Sequence, residues 1–231
     1  MIKFVLSGIL FLSLPLAAQA ANLEVEFGPY VGNGDSSDDS QVRYVSGFRA
    51  AVSRPVLEVT HLKLSPVLSF ENSFFNTRTA VGETVTIADY DHRTFGLGLE
   101  LSTPATSRGR PFEVFLRSSI ARTFSKVGID QSTGTSFSQR LISGVRGVQN
   151  SVELGASLPL QTDFFVGLSV LANVNRLDQS DSQGSDERET NTNSSEGLTL
   201  TSTRLAPGET GLADTVVQRS IGASVSASIL F

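Results

Sequence analysis

Ile221-Gly222-Ala223-Ser224-Val225-Ser226-Ala227-Ser228-Ile229-Leu230-Phe231 ends the sequence; every odd position in it is apolar, and four of the five even ones are Gly or Ser. Only Leu230 breaks the alternation. A period of two is the side-chain period of a strand with two unlike faces. An edge strand of a soluble sandwich would read the same way, so the rest of the chain has to decide between the two.

Seven further segments repeat the pattern. Leu23, Val25, Phe27 and Val31 alternate with Glu24, Glu26, Gly28 and Tyr30, and the polar cluster Asn33 to Asp39 follows as a turn. In the second segment Tyr44, Phe48 and Val52 oppose Val45, Arg49 and Ala51. The third sets Leu62, Leu64, Leu68 and Phe70 against Lys63, Ser65, Val67 and Glu71. Leu57 and Val59 fall on the other parity, which predicts a bulge near Thr60 or His61. Pro66 cannot donate to a ladder and predicts a local irregularity. Phe95, Leu97, Leu99 and Leu101 against Gly96, Gly98 and Glu100 form the fourth; Phe112, Val114, Leu116 and Ile120 against Glu113, Arg117 and Ala121 form the fifth. The sixth runs Val148 to Leu158 with Glu153 on its polar track, and the seventh Phe164 to Val174 with Asn173 on its own.

Each segment spans about nine to eleven residues, the length a tilted strand needs to cross the hydrocarbon layer. Connections alternate between short ones (Ser53 to Pro55, Thr103 to Pro111, Pro159 to Asp163) and long ones (a hairpin with its tip at Val81 to Val85, a polar basic loop Ser125 to Gly147, and Arg176 to Asp214). No charge interrupts the middle of the apolar tracks, where Arg or Lys would cost roughly 2 to 4 kcal/mol in lipid; Arg93, Arg122 and Arg219 fall at strand ends. Tyr30, Tyr44 and Tyr90 are expected at the outer interface, with Phe112, Phe164 and Phe231 at the opposite rim. The fold class expected is therefore all-β, an eight-stranded antiparallel up-and-down transmembrane β-barrel.

At the other end Met1 to Ala20 reads as a signal peptide: Lys3, then the apolar run Phe4 to Leu16, then Ala18-Gln19-Ala20 as a cleavage site. Residues 21–231 are the expected barrel domain, with a long acidic outer loop at about 176–214. That loop holds eight acids and three arginines, so the net charge of -5 belongs to one segment. An acidity confined to one loop gives no footprint for a nucleic-acid partner. The absence of Cys excludes disulfides and thiolate metal sites.

The whole mature chain resembles the small eight-stranded outer-membrane barrels of the OmpA and OmpX kind, in strand pattern, signal peptide and terminal aromatic. What the resemblance implies is a monomer in the outer membrane of a Gram-negative bacterium, exported through the periplasm and surrounded by lipid and lipopolysaccharide. It also implies insertion by the barrel-assembly machinery, with Phe231 as the assembly signal.

Eight strands leave an interior only wide enough for side chains. The inward charges Glu24, Glu26, Arg49, Lys63, Glu100, Glu113, Arg117 and Glu153 are therefore expected to pair and fill it, since an unpaired buried charge is costly. A narrow ion pathway is the alternative. For chemistry the candidates are few: Asp91 and His92, a carboxylate beside a possible general base, suit a lipid A acyltransferase or deacylase. Asp35, Asp38 and Asp39 are candidate ligands for divalent metal, against the plainer reading of a solvated turn. No cofactor motif is present; Gly96-Leu97-Gly98 lacks the strand-to-helix context of a phosphate loop. Function is expected in the loops: a non-enzymatic surface protein meeting an extracellular ligand or organising the outer membrane. Ser180 to Glu196 contains no aliphatic or aromatic side chain and is expected to be mobile, while Leu198 to Leu205 alternates again and is read as a strand above the membrane.

Overall fold

Residues 23–36, 41–134, 136–179, 182–191, 198–205 and 215–231 are described by a computed structural model. The expected signal peptide lies outside them, as do Asp38 and Asp39. In chain order the strands are β1 (Glu24–Ser36), β2 (Gln41–Ser53), β3 (Leu57–Val59), β4 (Leu62–Val81), β5 (Thr84–Ser107), β6 (Arg110–Thr133), β7 (Ser136–Gln161), β8 (Phe164–Asp178), β9 (Gln183–Asn191), β10 (Leu198–Leu205) and β11 (Thr215–Leu230). Eight of them, β1, β2, β4 to β8 and β11, pair antiparallel with their neighbours in a ring. The alternating tail described above is the closing strand: β11 pairs with β8 on one side and with β1 on the other, from Glu24↔Leu230 to Ser36↔Gln218.

Following paired residues once round the ring, from Glu100 through Arg117, Glu153, Leu171, Gly222, Gly32, Val45 and Phe75, returns to β5 at Tyr90, ten residues from the start. This stagger is what tilts the strands of a closed barrel. It also sorts inward side chains into levels: along β5 and β6, moving outward, come Glu100 and Arg117, then His92 and Ser125, then Tyr90 and Val127.

The parity expected from the sequence holds through all eight strands. Leu97, Leu99, Leu154, Leu168, Val170, Ile221 and Val225 are exposed around the outside, while Arg49, Glu71, Glu100, Arg117 and Glu153 are buried. A soluble protein does not leave such a continuous apolar belt in water. With its strands hydrogen-bonded to one another in a closed ring, the molecule meets the demand lipid makes of a spanning structure. It is an outer-membrane β-barrel, with its short turns at the periplasmic end and its long strands projecting outside.

Several sequence expectations are corrected. Between Leu57 and Leu64 there is a tight β3–β4 hairpin rather than a bulge, with Thr60 at φ 52° in its turn. The local irregularity expected at Pro66 is present on one side: the β4–β5 register is unbroken, but β2 ends at Ser53↔Val67 and β3 begins at Leu57↔Leu64, so proline occupies the gap between two partners. Tyr44 is 51% exposed as an interface ring should be, but Tyr30 (3%) and Tyr90 (1%) point into the barrel. The Tyr30 ring lies against Gly47, where a Cβ would come within 2.5 Å of it.

The largest difference lies above the membrane. β4 to β7 are 20 to 26 residues long, so the expected loop Ser125 to Gly147 is two paired strands. Gln183–Asn191, within the segment expected to be mobile, pairs with Ser136 to Ser143 of β7, and β10 pairs with β9. A strand added to an existing edge is held by main-chain hydrogen bonds, which the lack of apolar side chains does not weaken. β10-β9-β7-β6-β5-β4 thus forms one sheet rising from one side of the barrel.

Val170 lies midway along the outward track of β8, between Phe164 and Arg176. Val170→Arg is expected to lower stability by roughly 2 to 4 kcal/mol and Val174→Arg, next to the interface, by about 1 kcal/mol or less. Urea unfolding of protein refolded into phospholipid vesicles measures both; equal costs at the two depths would contradict the placement of the belt.

Candidate functional site

The interior is filled from the periplasmic end outward by three layers. The first is ionic. Arg117 of β6 reaches three carboxylates on three other strands: Glu100 Oε2 at 2.5 Å and Glu26 Oε2 at 2.6 Å from Nη2, and Glu153 Oε2 at 3.1 Å from Nη1. Its Nε also donates to Glu100, at 2.9 Å, and the guanidinium lies 5.2 Å from the Phe115 ring centre. Arg49 Nη1 lies 2.6 Å from Glu153 Oε2, close enough for an ion pair but without hydrogen-bond alignment. Ser169 donates to the other Glu153 oxygen. A planar fork of five donors is the group that can serve several carboxylates at once.

Of the inward charges read from the sequence, Glu26, Arg49, Glu100, Arg117 and Glu153 come together here. Lys63 and Glu113 form a separate pair near the periplasmic rim, 3.5 Å apart, with Ser102 donating to Glu113. Glu24 is half-buried and joins no ion pair among the described residues.

The second layer is polar and nearly all of it was missed. Tyr30 donates to Glu71 Oε1 at 2.6 Å, and Gln149 Nε2 donates to Glu71 Oε2 at 3.2 Å. His92 lies 2.5 Å from Ser125 Oγ through Nδ1 and 2.8 Å from Gln218 Oε1 through Nε2. Since an amide oxygen only accepts, Nε2 carries the proton and Nδ1 accepts from the serine hydroxyl. Tyr30, Glu71, His92, Gln149 and Gln218 line a small chamber of about 20 Å³, together with Asn173, Asn175 and Ser220. Parity was the available signal: His92 is in phase with Thr94 and Glu100, and Tyr30 with Glu26.

The third layer is apolar. Tyr90, Val127, Ile129, Ile142, Val145 and Leu177, with Phe75 and Val45 beneath, form one buried cluster across the outer end. Tyr90 packs edge-on against Phe75, with ring centres 6.3 Å apart. Above it the β8–β9 connection keeps Gln179 and Ser182 buried. Charge pairing thus lies below the polar layer and a hydrophobic cap above it.

This geometry bears on the chemical candidates. Ser125 and His92 are a hydroxyl and a base in hydrogen-bond contact, but His92 is 3% exposed and faces the lumen, away from any acyl chain in the bilayer. Asp91 is on the opposite face of β5 and cannot orient the imidazole. Asp35 is exposed and lies 3.4 Å from Arg219; the described residues contain no group of three acidic, histidine or cysteine side chains suited to a metal. Phe231 is exposed at the periplasmic rim, its backbone exchanging hydrogen bonds with Leu23.

No protein-family model matches the sequence, and no curated protein matches it. Solved structures do match in fold. Neisserial surface protein A is 13% identical, with a TM-score of 0.41, over 92% of this chain and 100% of that one. The outer membrane protease OmpT from Escherichia coli is 9% identical, with a TM-score of 0.49, over 93% and 99%. The outer membrane protein OprG from Pseudomonas aeruginosa is 10% identical, with a TM-score of 0.44, over 92% and 97%.

Removing Arg117 would strand its carboxylate partners in the lumen. Arg117→Leu is expected to destabilise the barrel by roughly 3 to 5 kcal/mol, whereas Arg219→Leu, which breaks only the exposed pair with Asp35, should change stability by no more than about 1 kcal/mol. The difference between the two urea midpoints in detergent is the measurement; similar midpoints would show that the ionic layer contributes little.

Proposed function

We propose that this protein is a non-enzymatic outer-membrane barrel that works through the sheet it raises outside the cell, with the transmembrane part as a closed anchor. The observation that carries this reading is the length of β4 to β7, about twice what crossing requires, together with the added strands β9 and β10. Regular backbone pairing far beyond the bilayer gives a rigid platform, and rigid scaffolds are where binding loops and edges are displayed. Its visible side chains are largely hydroxyls, amides and scattered charges, including the Thr84–Thr133 cross-strand pair at the tip and Arg78, Asp130 and Glu187. A polyhydroxy or charged extracellular surface is the partner chemistry this suits. The working unit is a monomer surrounded by lipid and lipopolysaccharide and inserted by the assembly machinery through Phe231. The buried His92–Ser125 contact gives the lipid-modifying alternative no access to its substrate.

Two measurements test the reading. In planar bilayers the purified protein should show little or no steady conductance; stable porin-sized steps would contradict a closed anchor. On whole cells, replacing Gln183–Leu205 by a short Gly-Ser linker should leave heat-modifiable mobility intact while removing adhesion to glycan and polycation arrays. Unchanged adhesion would show that the added strands are not the contact surface.

A further inference from the structure

The lumen holds more acid than base. In its buried middle Glu26, Glu71, Glu100 and Glu153 face only Arg49 and Arg117, and both arginines are engaged with the ionic layer. Two arginines leave two of the four carboxylates unbalanced, and Glu71 is the one without an arginine contact: it is buried, it accepts from the neutral Tyr30 and Gln149, and, although Arg49 is its cross-strand neighbour, it joins no ion pair among the described residues. The cost of burying a charge is met by a partner of opposite sign or by neutralisation.

Glu71 opens on this chamber, whose 20 Å³ has room for one water-sized species, and a second, independent observation points into the same space. Asn173 Oδ1, Asn175 Oδ1 and Asn175 Nδ2 are buried there without a hydrogen-bond partner among the described residues. Turning the Asn175 amide over changes nothing, because both of its ends are unpartnered. Leaving such groups unpartnered in a buried space is costly, so an occupant that satisfies them is favoured. Water would satisfy the amides but would not balance the carboxylate. A cation does both, since amide oxygens and a carboxylate are hard oxygen ligands. One carboxylate among neutral oxygens suits a single positive charge; divalent sites draw on more carboxylates.

We propose that the chamber holds a monovalent alkali cation, with Glu71 as its charged ligand and the side-chain oxygens of Asn173 and Asn175 as neutral ones. The ion would sit between the ionic layer and the apolar cap and offset the charge of Glu71. This inference is independent of the surface role proposed above.

The test uses rubidium, which is visible by anomalous scattering. Full-length mature protein is refolded from urea into detergent with rubidium chloride as the only monovalent salt, so that the ion is present before the barrel closes, and is then crystallised. The expected result is an anomalous peak in the chamber that is lost in Glu71→Gln. Thermal unfolding of the same protein should occur at a higher temperature in rubidium chloride than in N-methylglucamine chloride at equal ionic strength, and Glu71→Gln should abolish that shift. Asn175→Leu, which removes both orphaned atoms and leaves every charge in place, should also lose the peak and serves if Glu71→Gln does not fold. A chamber without a peak, a peak indifferent to these substitutions, or unfolding that is the same in both salts would overturn the proposal.

Discussion

Closure of the ring is the constraint on which everything else depends. In hydrocarbon an unpaired backbone N–H or C=O costs several kcal/mol, so a strand edge exposed to lipid is not tolerated. The pairing of β1 with β11 removes the last edge within the membrane. It also brings Leu23 against Phe231, so residues far apart in sequence are neighbours in space. Once closed with a stagger of ten residues, eight strands leave a lumen too narrow to stay open and too polar to collapse on apolar side chains alone. The order of layers follows: ion pairs where the wall presents Glu and Arg, amides and hydroxyls next, and a hydrophobic cap where the strands leave the membrane.

The cap explains why the strands continue. Tyr90, Val127, Ile142 and Leu177 are inward residues at or beyond the outer edge of the belt. There the surroundings of the barrel are aqueous, so the usual preference of a water-soluble sheet returns, with the apolar side inside. The same strands are therefore apolar-out across the lipid and apolar-in above it. This inversion marks the interface on the chain itself: outward Arg93, Arg122, Arg176 and Arg219 fall at the level where the inner face turns from polar to apolar.

Legibility in the sequence followed the same division. Within the belt, alternation of large apolar with small or charged residues is sharp, and it placed every strand and the inward parity of Glu26, Glu100, Arg117 and Glu153. Above the belt both faces mix Thr, Ser and apolar residues, so the period of two fades although the strands continue, and Ser125 to Gly147 read as a loop. β9 gave no signal because what holds it is the backbone of β7, which any sequence without proline can meet. Tyr30 was misplaced by residue type against its own parity: it is in phase with Glu26, and the space that admits it comes from Gly47 on the neighbouring strand. The candidate chamber was invisible for a related reason. Glu71, Asn173 and Asn175 each lay on an inward track, but the convergence of β4 and β8 on one point depends on the stagger of the ring, which no single strand encodes.

Among the described residues the raised sheet stands on one side of the barrel. β4 to β7 stand well above the membrane, whereas β8 and β11, like β1 and β2 across the closure, are 13 to 16 residues long and end near its surface. The molecule therefore has a tall back and a low front when seen from outside the cell. A cylinder with such a parapet has a preferred direction of approach: bulky sugar chains of the surrounding leaflet can lean over the low strands, while the tall ones hold them off. Rotation about the barrel axis would carry that direction round with it, so any neighbour fixed against the low side would set the heading of the wall above.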